Sequence, residues 1–255
     1  MKTKQRKKMK YINKIIMTVA LTISYSLSAE PPFIPMEAFS CNYNKAKDVQ
    51  DYLDVAEDWN EYADEVGMAY NSWILTPHYF STDYDNEVYW IGFAPTWKQM
   101  AEAQEAMTVG EGAKLNDRFF KVVDCDSHSI WGIDNVRQAP ELGDGVLSLQ
   151  DCTLKQGATY EALLAADVKL NNMLDSQGFE GGLGRWYPGA GINSDYDYDF
   201  LFAMVNDSLI SAGEMIDERV NGGGDQRSQE IYGDLVSCEN ERTYIATATR
   251  IVPAQ

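Results

Sequence analysis

Hydrophobic and polar residues alternate along the chain with periods that predict a regular succession of helices and strands. In residues 49–66 the apolar side chains recur at steps of three or four, which is typical of an amphipathic helix. Residues 160–174 repeat that spacing. Asp48 and Thr159 stand just ahead of the two stretches and predict their N-caps.

Short apolar runs predict strands around these helices. The predicted strands are 36–40, 70–75, 88–94 and 129–137 in the first half, and 146–149, 182–187, 200–205 and 242–251 in the second. Thr96 and Ser208 predict the N-caps of a second helix in each half, and shorter helices follow at 115–123 and 228–236. The order βαββαβ therefore occurs twice.

The two halves are related by an internal repeat. Pro77 matches Pro188 at a shift of 111 positions, and Trp131 matches Tyr244 at a shift of 113. Single insertions explain this slow drift, and chance does not produce an ordered series of this kind. We predict one repeat over residues 30–140 and another over 141–255, joined through a connector with Pro and Gly at 138–145.

The four cysteines occupy equivalent places in the two repeats. Cys41 and Cys125 are 84 positions apart, and Cys152 and Cys238 are 86 apart. The βαββαβ order is that of the ferredoxin-like fold, whose first and last strands are antiparallel neighbours. Each pair of cysteines falls where those strands meet, so we predict the disulfides Cys41–Cys125 and Cys152–Cys238.

The third strand of each repeat, 88–94 and 200–205, is apolar on both faces and needs cover on both. With its repeated βαββαβ order, the chain resembles the dimeric α+β barrel superfamily, in which two ferredoxin-like units pack sheet against sheet. It looks like a tandem version with both units fused, over residues 36–252. The resemblance implies an α+β fold and a monomer with an internal pseudo-twofold axis. The superfamily includes cofactor-independent monooxygenases, haem-degrading enzymes, isomerases, cyclases and ligand-binding members, but it carries no catalytic residue over to this chain.

Charge and the amino terminus predict where the protein works. Seven basic residues and no acids lie in residues 1–29, followed within that range by a short apolar stretch, which predicts a signal peptide and a periplasmic or secreted protein. A retained membrane anchor is the alternative. The whole chain has a formal charge of -18, and the chain after residue 29 is more acidic still, which excludes nucleic acid and anionic lipid as partners.

Candidate chemistry centres on residues that differ between the repeats. His78 stands among aromatic residues, where Gly189 stands in the second repeat, and is the candidate catalytic base. Arg185 is a candidate for binding a carboxylate or enolate, and its alternative is an ion pair within the protein. Aromatic side chains suit an apolar ligand, and their alternative is core packing. The candidate ligand-binding residues are Trp73, Tyr79, Trp90, Arg185, Trp186 and Tyr187.

An acidic turn follows the second strand in both repeats. Its aspartates alternate with other residues and offer oxygen ligands of the kind that calcium prefers. The candidate calcium ligands are Asp83, Asp85, Asp195 and Asp197. The alternative is that these turns are simply solvated.

Three function classes follow from these observations. The first is an exported, disulfide-stabilised barrel that binds a small aromatic or apolar molecule, with or without converting it, and without a cofactor. The second is a structural or interaction protein, with or without calcium at the acidic turns. The third is a cofactor-independent oxygenase or isomerase that uses His78. We expect the first, with the second as the alternative.

Overall fold

The computed structural model describes residues 33–252, and the predicted signal peptide lies outside this range. Residues 33–252 form eight strands and six helices. The first half contains β1 (Ile34–Tyr43), α1 (Val49–Glu65), β2 (Asn71–Tyr79), β3 (Val88–Phe93), α2 (Trp97–Ala106), α3 (Gly110–Val122) and β4 (Val123–Arg137). The second contains β5 (Gly145–Leu154), α4 (Tyr160–Gln177), β6 (Gly182–Pro188), β7 (Phe200–Asn206), α5 (Leu209–Val220), α6 (Gly224–Tyr232) and β8 (Val236–Arg250). The predicted repeat boundary at 140–141 lies in the loop between β4 and β5.

The strands close into one barrel in the order β1-β3-β2-β8-β5-β7-β6-β4. Every neighbouring pair of strands is antiparallel. Two of these pairings, β2 with β8 and β4 with β6, join the first half to the second. The prediction of an α+β barrel is thus confirmed. The sequence predicted that the two halves contact one another through their sheet faces. In the structure their edge strands are also hydrogen-bonded to one another, at β2–β8 and at β4–β6.

Local capping chemistry sets the helix ends. The side chains of the predicted N-caps Asp48, Thr96, Thr159 and Ser208 all accept hydrogen bonds from backbone N–H groups of the first turn. Gly178 ends α4 with a φ of +70°, a left-handed conformation that glycine adopts without a steric penalty. The sequence prediction of these four caps is correct, because capping depends only on neighbouring residues.

Several element boundaries differ from the sequence prediction. The last strand of each half begins earlier than predicted, at Val123 directly after α3 and at Val236 three residues after α6. The early part of each strand is mostly polar and lacks an apolar run, yet it pairs with β1 or β5, with one β-bulge in each pairing. The short helix predicted over 228–236 is α6, which begins earlier, at Gly224, and ends at Tyr232.

The inward faces of both halves form one apolar cluster that fills the barrel. Met36, Trp73 and Trp131 from the first half meet Trp186 and Tyr244 from the second, and all five are buried. The apolar third strands β3 and β7 contribute Ile91 and Leu201 to this cluster, as their sequences require. The helices pack on the outward faces of the strands. No helix within residues 33–252 is both long and apolar enough to cross a bilayer.

The two disulfides join Cys41 to Cys125 and Cys152 to Cys238. Each bridge links residues that are directly opposite one another, on β1 and β4 or on β5 and β8. The predicted pairing is confirmed. Each bridge joins the first strand of one half to its last strand, and the bridged cysteines are 84 and 86 positions apart.

We expect the double variant Cys152→Ala, Cys238→Ala to lose about 4 kcal/mol of unfolding free energy, because the bridge restricts a long loop in the unfolded chain. The double variant Cys41→Ala, Cys125→Ala removes a bridge across a loop of nearly equal length and should lose a similar amount. Urea denaturation of both variants and the unmodified protein measures the losses. Non-reducing peptide mapping that joins Cys41 to Cys152 or Cys238 would contradict the pairing.

Candidate functional site

The second half contains a cavity of about 420 Å³ between its helices and the outward face of its sheet. Its walls come from α4, α5 and α6 and from the four strands β5, β6, β7 and β8. The lining combines leucine, methionine and phenylalanine with a similar number of polar and charged side chains. Representative lining residues are Leu170, Met173, Phe179, Phe202, Met204 and Met215. A concave site that combines apolar side chains with hydrogen-bonding groups is the usual form of a small-molecule site.

The corresponding space in the first half is filled by aromatic rings. Trp59 from α1 lies at the centre, with ring centroids 5.6 Å from Tyr70 and 5.3 Å from Trp90, both edge to face. Tyr52 and Phe119 extend this group on either side. The Tyr70 hydroxyl donates to buried Glu37 at 2.6 Å and accepts from the Trp90 indole at 3.1 Å. The aromatic core of the first half is therefore close-packed and internally hydrogen-bonded.

Strand pairing shows which residues correspond in the two halves. Trp90 lies opposite Phe39 in the first half, and Phe202 lies opposite Gln150 in the second. At the shift of 111 positions that relates the helices, Leu170 stands where Trp59 stands. By the same shift Gly181 takes the place of Tyr70. The cavity of the second half is thus the space that large aromatic side chains occupy in the first.

Arg185 forms the polar floor of this cavity. It is only 1% exposed and donates to two buried carboxylates. Its Nε and Nη2 donate to Asp134 Oδ2 at 3.0 and 2.6 Å, and its Nη1 and Nη2 donate to the two oxygens of Asp167 at 2.8 Å each. The Tyr232 hydroxyl also donates to Asp167. We call Arg185, Asp134, Asp167 and Tyr232 the floor cluster.

The floor cluster is a stable ionic unit. Burial alone would lower the pKa of Arg185, but hydrogen bonds and charge from Asp167 and Asp134 reverse that effect and raise it above its ordinary value. Burial, followed by the hydrogen bond to Asp167, raises the pKa of Tyr232. Both groups therefore keep their protons at any physiological pH. Arg185 forms an ion pair within the protein, which was the alternative to its predicted role in binding a ligand carboxylate.

Solved structures share this fold. A chlorite dismutase from Candidatus Nitrospira defluvii, in complex with imidazole, aligns with a TM-score of 0.50 and 7% identity, over 85% of this chain and 91% of its own. A heme-binding protein from Thermus thermophilus aligns with a TM-score of 0.50 and 8% identity, over 85% of this chain and 94% of its own. No protein-family model matches this chain, and no curated protein matches it. Similarity at this identity shows the α+β barrel fold alone.

The predicted catalytic base lies away from the cavity. His78 is exposed near the end of β2, in a β-bulge between Pro77 and Tyr79. Its ring contacts the ring of Tyr79, with centroids 4.4 Å apart. Tyr79 is 63% exposed and lines a separate, smaller cavity of about 120 Å³ beside α5. The structure brings His78 and Tyr79 together, and places neither beside Arg185 in the lining of the larger cavity.

The other predicted ligand-binding residues are divided between different parts of the fold. Trp73 and Trp186 point into the filled barrel. Trp90 belongs to the aromatic core of the first half. Tyr187 is partly buried and packs against Phe200, with ring centroids 5.4 Å apart. Core packing, which was their alternative interpretation, describes all three tryptophans.

The acidic turns carry tyrosines that cover one end of the barrel. The Tyr84 hydroxyl donates to buried Asp151 at 2.6 Å, and its ring lies 4.2 Å from the guanidinium of Arg242. In the second turn, Tyr196 packs edge to face on Trp131 at 5.8 Å. Through these contacts the two turns cover one end of the barrel interior.

The candidate calcium ligands lie in the same two turns. Asp83, Asp85, Asp195 and Asp197 are all exposed. Within residues 33–252, no three His, Cys, Asp or Glu side chains come together as a metal site. The calcium hypothesis thus has no cluster of acidic side chains to support it.

Sequence reasoning missed the partners of Arg185, although one signal was present. Asp167 occupies a position in the apolar stripe of α4, between Leu163 and Leu170, where the first repeat has Ala56. A charged residue at a buried helix position needs an opposite charge nearby. That requirement would have pointed to Arg185, which likewise replaces the buried apolar Ile74 of the first repeat.

We expect Asp167→Ala to lower the unfolding free energy by about 3 kcal/mol, because it leaves the buried Arg185 charge with only part of its compensation. Asp175→Ala is the matched control on the same helix. Asp175 is 64% exposed and pairs with Arg137, so its loss should cost under about 1 kcal/mol. Urea denaturation of the two variants measures the difference. Equal losses of unfolding free energy would show that the floor cluster stabilises the protein no more than an exposed ion pair does.

Proposed function

We propose that this protein is an exported α+β barrel that binds a small aromatic or apolar molecule in the cavity of its second half. The observation that carries this proposal is the asymmetry of the two helix layers. The first half fills the space between helices and sheet with Trp59, Tyr70 and Trp90. The second half leaves the same space open and lines it with smaller side chains. The fold itself therefore does not require the cavity.

The lining favours a flat apolar ligand. Phenylalanine rings offer edges and faces to an aromatic molecule. Three methionines, Met173, Met204 and Met215, add long polarisable side chains that adapt to irregular shapes. The amides of Gln150, Gln177 and Gln229 also line the cavity and supply hydrogen-bonding groups of the kind that orient a ligand.

Haem is the alternative that the fold comparison raises, since one similar structure is a heme-binding protein. Proteins hold haem iron through His, Cys, Tyr, or Met together with His. Both histidines of the chain, His78 and His128, lie outside the cavity lining. Cys238 is in a disulfide, and the Tyr232 hydroxyl is engaged with Asp167. The donors in the described lining therefore do not fit the usual haem ligation, and we propose an organic ligand without a cofactor.

Binding rather than catalysis is the function we propose for the cavity. Arg185 and Tyr232 are the titratable groups on its floor, and both are paired within the protein. His78, the predicted base, lies on β2 and is exposed. A general base must be within hydrogen-bond reach of the proton that it removes. These positions support a binding protein more than an oxygenase or isomerase.

The architecture supports a duplicated origin of the two halves. The barrel order contains β4-β1-β3-β2 followed by β8-β5-β7-β6, so both halves have the same internal order. That is the strand order of a ferredoxin-like sheet produced by βαββαβ. We propose that the chain contains two fused ferredoxin-like repeats, 30–140 and 141–255, and that it is a monomer, because both edges of each sheet are already paired within the chain.

We expect Leu170→Trp to abolish ligand binding, because it puts into the cavity the side chain that fills the first half. Val168→Trp is the matched control, since it adds the same side chain at a 61% exposed position of the same helix. Native mass spectrometry of protein recovered from its own periplasm or medium measures the bound molecule. Loss of the ligand in the first variant alone supports the proposal. Retention of the ligand by Leu170→Trp would place the site elsewhere.

Export and oligomeric state have a joint test. We expect the exported protein to lack residues 1–29, because the basic and apolar segments of that range have the pattern of a signal peptide. We also expect one chain per particle. Intact mass and light scattering of the recovered protein check the two expectations. A full-length mass would favour the retained anchor, and a dimer at micromolar concentration would contradict the proposed monomer.

A further inference from the structure

The smaller cavity beside α5 adjoins the larger one on the same face of the sheet. Met204 on β7 lines the larger cavity, and Asn206, two residues farther along that face, lines the smaller. Gln150 and Ser148 on β5 are related in the same way. Side chains on one strand face repeat every two residues, which is about 7 Å. Met215 of α5 lines both cavities, so they are neighbouring compartments beneath one helix.

Asn206 brings an unpaired amide to the smaller cavity. It is only 3% exposed, and among the residues that the structure describes nothing accepts a hydrogen bond from its Nδ2. At the shift of 112 positions that relates β3 to β7, the first repeat has the buried Ala94. Buried polar groups are nearly always paired, because an unpaired one loses its hydration without compensation. The smaller cavity therefore contains a donor that lacks an acceptor.

The sheet side of the smaller cavity carries further polar groups. The hydroxyls of Ser148 and Thr243 lie 3.1 Å apart. Such a pair uses one hydroxyl proton between its members, which leaves the other proton for a second acceptor. Glu241 accepts from Gln150 at 3.0 Å and from Arg219 at 3.1 Å. The side formed by α5 is apolar and consists of Leu209, Ala212 and Ile216.

The equivalent place in the first half is occupied by a complete hydrogen-bond network. Buried Glu37 accepts from Gln104 at 2.8 Å, and its other contact at that distance is His128 Nε2. The matching positions of the second repeat, by the shifts of the neighbouring landmarks, are Ser148, Ile216 and Glu241. All three line the smaller cavity. The first half thus satisfies its polar groups internally, while the second half leaves an open space with an unpaired donor.

A second unpaired donor stands where the two cavities meet. Arg219 lines the larger cavity, and its Nη1 donates to Glu241, which lines the smaller one. Its Nε is buried and lies 3.3 Å from Asp225 without making a hydrogen bond. A ligand that extends from the larger cavity towards Asn206 passes this guanidinium first. Both orphan groups are donors, so the matching ligand group is an acceptor.

We propose that the ligand of the larger cavity is an aromatic ketone or amide whose carbonyl oxygen enters the smaller cavity and accepts a hydrogen bond from Asn206. This inference rests on the proposed function, since the aromatic part of the ligand occupies the larger cavity. Met215 is unbranched and adapts its shape, so its rotation joins the two spaces. The larger cavity supplies most of the affinity, and the smaller one selects the polar end of the ligand.

Two compounds with one aromatic skeleton test the proposal. In 2-acetylnaphthalene a carbonyl group stands where 2-ethylnaphthalene has a methylene group, and the rings are the same. Equilibrium dialysis of each compound against the mature protein measures its affinity. Leu170→Trp identifies the part of the binding that belongs to the larger cavity. The measured quantity is the affinity ratio of the ketone to the hydrocarbon, compared between variants, which removes the difference in hydrophobicity.

Asn206→Leu replaces the amide by an apolar group of similar size. It should lower the affinity ratio at least about fivefold, because the ketone oxygen then enters the smaller cavity without its donor. Ala212→Leu fills the smaller cavity from α5, should lower the ratio similarly, and serves if Asn206→Leu does not fold. Asn172→Leu is the control at an exposed position of α4 outside both linings, and it should leave the ratio unchanged.

The possible outcomes are distinguishable. An affinity ratio that is the same in Asn206→Leu, or in Ala212→Leu, as in the unmodified protein would overturn the role of the smaller cavity. The larger cavity would then remain the binding site of the aromatic part. If Leu170→Trp changes the binding of neither compound, the proposed binding function itself fails.

Discussion

Edge-to-edge closure of the barrel is the constraint on which the rest of the structure depends. Because β2 pairs with β8 and β4 pairs with β6, each of the eight strands within residues 33–252 has a partner on both edges. Closure forces one face of every strand inward, where both halves must share a single interior. Trp73, Trp131 and Trp186 fill that interior. The cavity of the second half lies instead on the outward face, beneath the helices, and there the two halves differ.

The difference between the halves depends on a few exchanges at equivalent positions. Ile74 is completely buried beneath the helices of the first half, and Arg185 takes its place in the second. A guanidinium at such a position is tolerated only with compensating carboxylates, because a buried unpaired charge costs several kcal/mol. Asp167 and Asp134 meet that need. Compared with the first half, the space beneath the helices of the second half thus has less aromatic volume and contains a buried ion cluster. These two differences together define the cavity.

How much of this could be predicted from the sequence depends on the range of the interactions involved. The N-caps at Asp48 and Thr159 involve residues two or three positions apart, and the apolar periods of the helices are equally local. The disulfides followed from strand topology, which the repeated element order indicated. The polar early part of β4 was missed because only its partner β1 shows that it is a strand. Whether the barrel interior or the space beneath the helices is filled depends on the volumes of side chains from several elements. Those volumes cannot be compared until the pairing of the elements is known.

His78 illustrates that last limit. Its difference from Gly189 predicts a functional role from the sequence, because histidine is a reactive side chain and glycine is not. The replacement of Trp59 by Leu170 introduces no reactive group, yet it changes the space beneath the helices far more. Removing buried aromatic volume weakens packing unless something else occupies the space. A ligand that fills the cavity recovers those contacts in the folded state alone, and by mass action its binding stabilises the protein. The packing beneath the helices is therefore complete in the first half and open in the second, where the proposed ligand would supply the missing contacts.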